Sequence, residues 1–118
     1  MNAPYLLKEI AEALHALVET GETRTLYLSQ FPLTEEDSEF LQEFLGHGGT
    51  IIHSHSNNRS IWRESRTPGV WMGEYYEGPD RLVLQTIEIA PIPELAVPPR
   101  EDLRSSLVEY RQRLERVG

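Results

Sequence analysis

The stretch from Thr50 to Ala90 constrains the fold more than any other part of the chain. Four segments rich in alternating, β-branched or aromatic residues follow one another with only a few residues between them. Strands are expected near 50–56, 60–67, 70–76 and 82–90. The turns fall at Asn57-Asn58, Pro68-Gly69 and Gly78-Pro79-Asp80, residues that tolerate positive φ or pre-set a bend. Connections this short cannot carry the chain back to start a parallel strand, so the four strands form an antiparallel meander.

Outside the meander the apolar spacing changes to three and four. Leu6, Leu7, Ile10, Leu14, Leu17 and Val18 mark an amphipathic helix from Pro4 to about Thr20, with Gly21 as its stop. Thr25-Leu26-Tyr27-Leu28 reads as a short strand that ends before Phe31-Pro32. Thr34-Glu35-Glu36-Asp37 combines a capping hydroxyl with acids at the positive end of a helix dipole. Phe40, Leu41, Phe44 and Leu45 are its expected buried stripe, and Gly46-His47-Gly48-Gly49 ends it. After an extended Pro91–Pro99 linker, Leu103, Leu107, Tyr110 and Leu114 mark a last helix from about Arg100 to Arg116.

The order is therefore α-β-α-β-β-β-β-α. This is an α+β chain with a mainly antiparallel sheet of about five strands and three helices, packed on one face. A right-handed crossover over the second helix would bring the first strand into the sheet and make one pair parallel. A length of 118 residues fits one domain, residues 1–118, that buries about two-thirds of its unfolded surface.

Charge narrows the class of partner. Residues 1–49 carry Lys8 and Arg24 against nine acids, whereas residues 50–118 carry nine Arg against ten acids, within a total of −8. Nucleic-acid affinity needs several cations acting together on phosphates, so DNA and RNA are not expected partners. No cysteine is present, which excludes disulfides, thiolate-held clusters and a Cys nucleophile and is compatible with a cytoplasmic location. No apolar run approaches the roughly 18 residues of a membrane span, and Met1-Asn2-Ala3-Pro4 lacks a secretory pattern. A soluble protein without membrane partners is expected.

Few residues carry chemistry. His53 and His55 share a strand face and His47 lies just upstream, so a small metal-dependent enzyme using this trio is the alternative reading. The spacing is unspecific and no acid lies between residues 44 and 63, so neither a metal nor another cofactor is expected. Ser54, Ser56, Ser60 and Ser65 lack a nucleophile turn and an orienting acid.

The hairpin around Pro68-Gly69 is the more distinctive feature. Trp62, Glu64 and Arg66 alternate onto one face of its first strand, and Trp71 shares a face of the second with Tyr75. Aromatic and Arg side chains dominate protein-recognition hot spots, which makes this hairpin a candidate contact surface. Equally, the aromatics can be sheet core and Glu64 with Arg66 an ion pair. Glu88 interrupts an otherwise apolar strand and is expected to face solvent, a partner or an Arg such as Arg66.

The run Glu-x-Arg-x-Pro-Gly-Val-Trp at Glu64–Trp71, then Tyr75-Tyr76, then Thr86-Ile87-Glu88-Ile89-Ala90-Pro91-Ile92-Pro93, resembles the conserved region of the HupH/HyaF hydrogenase expression proteins. Family members are commonly longer, with this region towards the C-terminus; Ser65 and Thr67 stand where the family tends to carry Thr and Phe. The resemblance implies a non-enzymatic chaperone or scaffold in [NiFe] hydrogenase maturation that handles the iron–sulfur small subunit, or meets other maturation proteins. Trp62, Glu64, Arg66, Pro68, Gly69, Trp71 and Glu88 are then the candidate partner-binding residues. An open sheet edge also permits a homo-oligomer.

Overall fold

A computed structural model describes residues 2–55 and 58–118. Helix α1 (Ala3–Thr20) leads to strand β1 (Arg24–Tyr27), a 3₁₀ turn at Leu28–Gln30 and helix α2 (Glu35–Leu45). Strands β2 (Ile51–Ser54), β3 (Ser60–Glu64), β4 (Val70–Glu77) and β5 (Arg81–Ile89) follow, then a 3₁₀ turn at Glu94–Ala96 and helix α3 (Arg100–Glu115). The α+β class and element order are those read from the sequence. The Asn57-Asn58 turn lies partly outside the described residues.

The sheet order is β1-β5-β4-β3-β2 and every neighbouring pair is antiparallel. This corrects the expectation of one parallel pair. Strand β5 ends the meander with its outer side open, and β1 pairs there, with Leu26 opposite Ile87. Strands β1 and β2 thus run in the same direction but on opposite edges, and α2 connects them across the sheet.

Strand register sorts the side chains. Leu26, Val70, Met72, Ile87 and Ile89 face α1 and α2 and form the core with Leu6, Ile10, Ala13, Leu41 and Leu45. Burying each of the larger aliphatics contributes about 1.5 to 3 kcal/mol. Of the expected α2 stripe, only Leu41 and Leu45 are buried. Phe40 and Phe44 are 39% and 59% exposed and stack on each other, so the helix turns its aromatic side outwards.

Helix α3 also departs from expectation. It packs on neither face of the sheet; none of its residues is buried. The radius of gyration is 17.5 Å, against about 13 Å for a compact domain of this length.

One carboxylate joins the two packed helices. Asp37 Oδ2 accepts from the Thr34 backbone N–H at 3.0 Å while the Thr34 hydroxyl accepts from the Asp37 N–H at 3.1 Å, closing the expected capping box of α2. Its Oδ1 accepts from the backbone N–H groups of Asn2 and Ala3 at 2.9 and 3.1 Å, so the same side chain caps α1. These bonds, the Thr34 backbone first, outweigh the opposing effect of burial and hold the Asp37 carboxyl below its ordinary 3.8. A depressed carboxyl stabilises the fold above its unfolded pKa, and that contribution is lost as the pH falls through the folded value. Acid titration of thermal stability should therefore show a loss starting near pH 4, at the ordinary value of 3.8, and continuing below it. Asp37→Asn should be less stable than wild type at neutral pH and flatter across that window; equal acid sensitivity of the two proteins would refute the role of Asp37.

Candidate functional site

The sheet face turned away from α1 and α2 carries a polar knot. Cross-strand pairing sets Trp62 opposite Gly73 and Gly73 opposite Thr86, while Glu64, Trp71 and Glu88 form the adjacent row. Glu88 Oε2 accepts from the Tyr75 hydroxyl at 2.6 Å, the Thr86 hydroxyl at 2.6 Å and Trp62 Nε1 at 3.2 Å. Trp62 Nε1 also donates to the Tyr75 hydroxyl at 3.0 Å, and the two rings meet edge to face at 5.9 Å. Burial, then the bond to Glu88, push the Tyr75 hydroxyl above its usual 10.0, so it stays a donor at physiological pH.

Gly73 makes room for this arrangement. A Cβ there would fall 2.3 Å from Thr86 Oγ1 and 2.6 Å from Glu88 Oε2. An isolated glycine inside a strand signals such a close approach, and this was the signal available in the sequence for a buried acid across the ladder.

Three of the candidate contact residues are thereby placed inside the molecule. Trp62, Trp71 and Glu88 are 1%, 3% and 4% exposed. Trp71 Nε1 donates to the Ala90 carbonyl at 3.1 Å. The expectation that Glu88 faces solvent or Arg66 is corrected: β5 is an inner strand, and three hydroxyl or indole donors take the place of a cation.

The other four lie at the β3–β4 turn. Strand β3 ends at Glu64, so Arg66 leaves the alternation and projects from the sheet end with Thr67 and Pro68, all exposed. Glu64 and Gly69 are half-buried. The turn is tied down on every side. Its Ser65 is buried, donates from Oγ to the Thr67 carbonyl and accepts from the Thr67 N–H, each at 3.0 Å. Arg66 N–H donates to the Leu45 carbonyl at the end of α2, and Gly48 N–H to the Glu64 carbonyl. A Cβ on Gly46 would lie 2.3 Å from Arg66 Cδ and one on Gly48 2.2 Å from the Ser65 carbonyl oxygen, so the glycine run after α2 is the seat of this turn as well as a helix stop.

The expected Glu64–Arg66 ion pair is not formed. The ion pair of this hairpin is Arg63 with Glu74, on the opposite sheet face. Among the described residues no carboxylate lies within ion-pairing distance of the Arg66 guanidinium. On that face a groove of about 360 Å³ opens between α2 and the sheet, bordered by Leu41, Leu45, His47, Met72 and the Arg63–Glu74 pair.

His53 and His55 stack with centroids 6.3 Å apart, although β2 ends at Ser54 and His55 lies just beyond it. Among the described residues no group of three His, Asp or Glu side chains is placed to hold a metal. No helix of the described chain is long and apolar enough to cross a membrane.

Residues 1–117 match the family described as HupH hydrogenase expression protein, C-terminal conserved region. The chain belongs to the HupH hydrogenase expression protein family. It is 36% identical to the hydrogenase expression/formation protein HupH of Rhodobacter capsulatus, over 99% of this chain and 42% of that protein. It is 35% identical to HupQ of Azotobacter chroococcum mcd 1, again covering 42% of the relative, so it spans under half the length of the curated relatives it matches. The solved structure of the hydrogenase expression protein HupH from Thiobacillus denitrificans ATCC 25259 superposes with a TM-score of 0.90 at 39% identity, covering 97% of this chain and 95% of that one. In the HupH fold the two motif runs are neighbours: Glu64 opposes Trp71, and Trp71 opposes Glu88.

Truncating the knot should cost stability. Trp62→Ala is expected to lose about 3 to 5 kcal/mol and Gly73→Ala about 1 to 3 kcal/mol, both read by denaturant unfolding. A loss under about 1 kcal/mol for Trp62→Ala would contradict its place in the interior.

Proposed function

We propose that the chain acts in [NiFe] hydrogenase maturation as a binding module and not as a catalyst, holding the iron–sulfur small subunit during assembly in the cytoplasm through the Arg66–Pro68 ridge. Family membership supports the maturation setting, and the printed names of the relatives describe hydrogenase expression and formation. The observation that carries the binding reading is the exposed Arg66 guanidinium, which has no carboxylate partner among the described residues, on a turn whose backbone is anchored to Leu45 of α2, Val70 of β4 and Ala90. A fixed turn loses little conformational freedom on binding, and the guanidinium fork grips a carboxylate or main-chain carbonyls at two points.

Trp62, Trp71 and Glu88 contribute to that surface indirectly, by fixing the strands from which the turn springs. Glu64, Pro68 and Gly69 shape the ridge itself. The absence of cysteine suits a partner that handles a cluster-bearing client without owning the cluster.

Arg66→Lys keeps the charge and loses the fork. It should leave the melting temperature nearly unchanged and weaken capture of the hydrogenase small subunit about tenfold, the equivalent of about 1 to 2 kcal/mol. Unchanged capture, beside a wild-type control that binds, would remove Arg66 from the recognition surface.

A further inference from the structure

Helix α3 has sixteen residues, all of them exposed, yet four of its five large apolar side chains, all but Val108, fall on one line. Leu103, Leu107, Tyr110 and Leu114 recur at intervals of four, three and four, the spacing that lines up one helix against another, and they are 50% to 59% exposed. An isolated helix of this length is marginal in water, and helices in proteins hold because an apolar stripe is buried. Pro98 and Pro99, the latter at φ −60° and ψ 152°, keep the preceding chain extended and direct α3 away from its own domain. The stripe therefore needs a surface from outside.

Charge selects which surface. Arg104 and Arg111 follow Leu103 and Tyr110 along one border of the stripe, and Arg113, paired with Glu109 of the same helix at 3.8 Å, lies on the other. Two α3 helices laid stripe to stripe would bring these arginines together, which opposes that pairing. The complementary surface is on α2. There the stacked pair Phe40 and Phe44 is exposed, with ring centroids 6.4 Å apart, and exposed Glu36, Glu39 and Glu43 surround it.

We infer that the chain forms a two-fold dimer in which α3 of each copy docks on the Phe40–Phe44 face of α2 in a second copy. Reciprocal docking closes the assembly and gives two such contacts per dimer. It leaves the Arg66 ridge uninvolved, so the inference goes beyond the hydrogenase reading and stands or falls separately from it.

Sedimentation equilibrium on the full chain tests it. The wild type should be a dimer whose dissociation constant rises at least about tenfold from low to high salt. Leu107→Glu and, separately, Phe44→Glu should be monomers with unchanged sheet signal in circular dichroism. Charge reversal identifies the occupant. Arg104→Glu/Arg111→Glu alone and Glu36→Arg/Glu43→Arg alone should each be monomeric, and an equimolar mixture should form heterodimers, since both contacts then regain opposite charges. A monomeric wild type overturns the inference. So does a dimer that survives Phe44→Glu, or a mixture of the two reversed variants that stays monomeric.

Discussion

A single oxygen of Glu88 fixes the relative placement of three strands. It receives donors from β3, β4 and β5 at once, through Trp62, Tyr75 and Thr86. A buried carboxyl group is tolerated only where hydrogen bonds replace its water. A slip of one residue in any of these strands would carry Glu88 or one of its donors to the opposite face and leave buried polar groups unpartnered. Gly73 is the steric condition for the whole arrangement. Once this register is set, the position where β3 ends and the chain turns is set with it, and so is the direction in which Arg66 leaves the sheet.

The local features were readable because they depend on neighbours in sequence. The α1 stripe, the Thr34–Asp37 box, the Pro68-Gly69 turn and the meander all follow from residues a few positions apart. Pairing of β1 with β5 was not readable, since Leu26 and Ile87 meet across most of the chain and a crossover rule for adjacent parallel strands does not apply to strands on opposite edges. Glu88 was misplaced for a related reason. An acid in an apolar run looks exposed until its donors are known, and these lie on two other strands as well as its own. In α2 and α3 the apolar spacing identified helices correctly but could not say whether the apolar side is covered within the same chain. Phe40, Phe44 and the α3 stripe show that part of it is not.

The two faces of the sheet divide the work. One is closed by aliphatic packing against α1 and α2, where fit is forgiving of small adjustments. The other is held by directional bonds around a carboxyl group, where geometry is stricter and a partly satisfied network would be worse than none. The ridge at the β3–β4 turn borders both: Gly69 lies against Leu14 and Leu17 of α1, while Glu64 shares its row with Trp71 and Glu88. A turn rooted in both layers moves only if the domain itself loosens.

The sheet order also governs how the chain is completed during synthesis. Strand β1 is synthesised before its partner β5, which ends at Ile89. Until then β1 has an unsatisfied ladder and Leu26 has no Ile87 to cover it, although α1 and α2 can already be joined through Asp37. The bonds from Asp37 to Asn2 and Ala3 span about half the sequence separation of the β1–β5 pairing, so the helical pair can assemble while the sheet still lacks its last strand. Until β5 is made the edge of β1 has no partner, and the charged Arg24 at its start, which pairs with Glu9 of α1 in the finished fold, is the kind of residue that discourages edge mispairing.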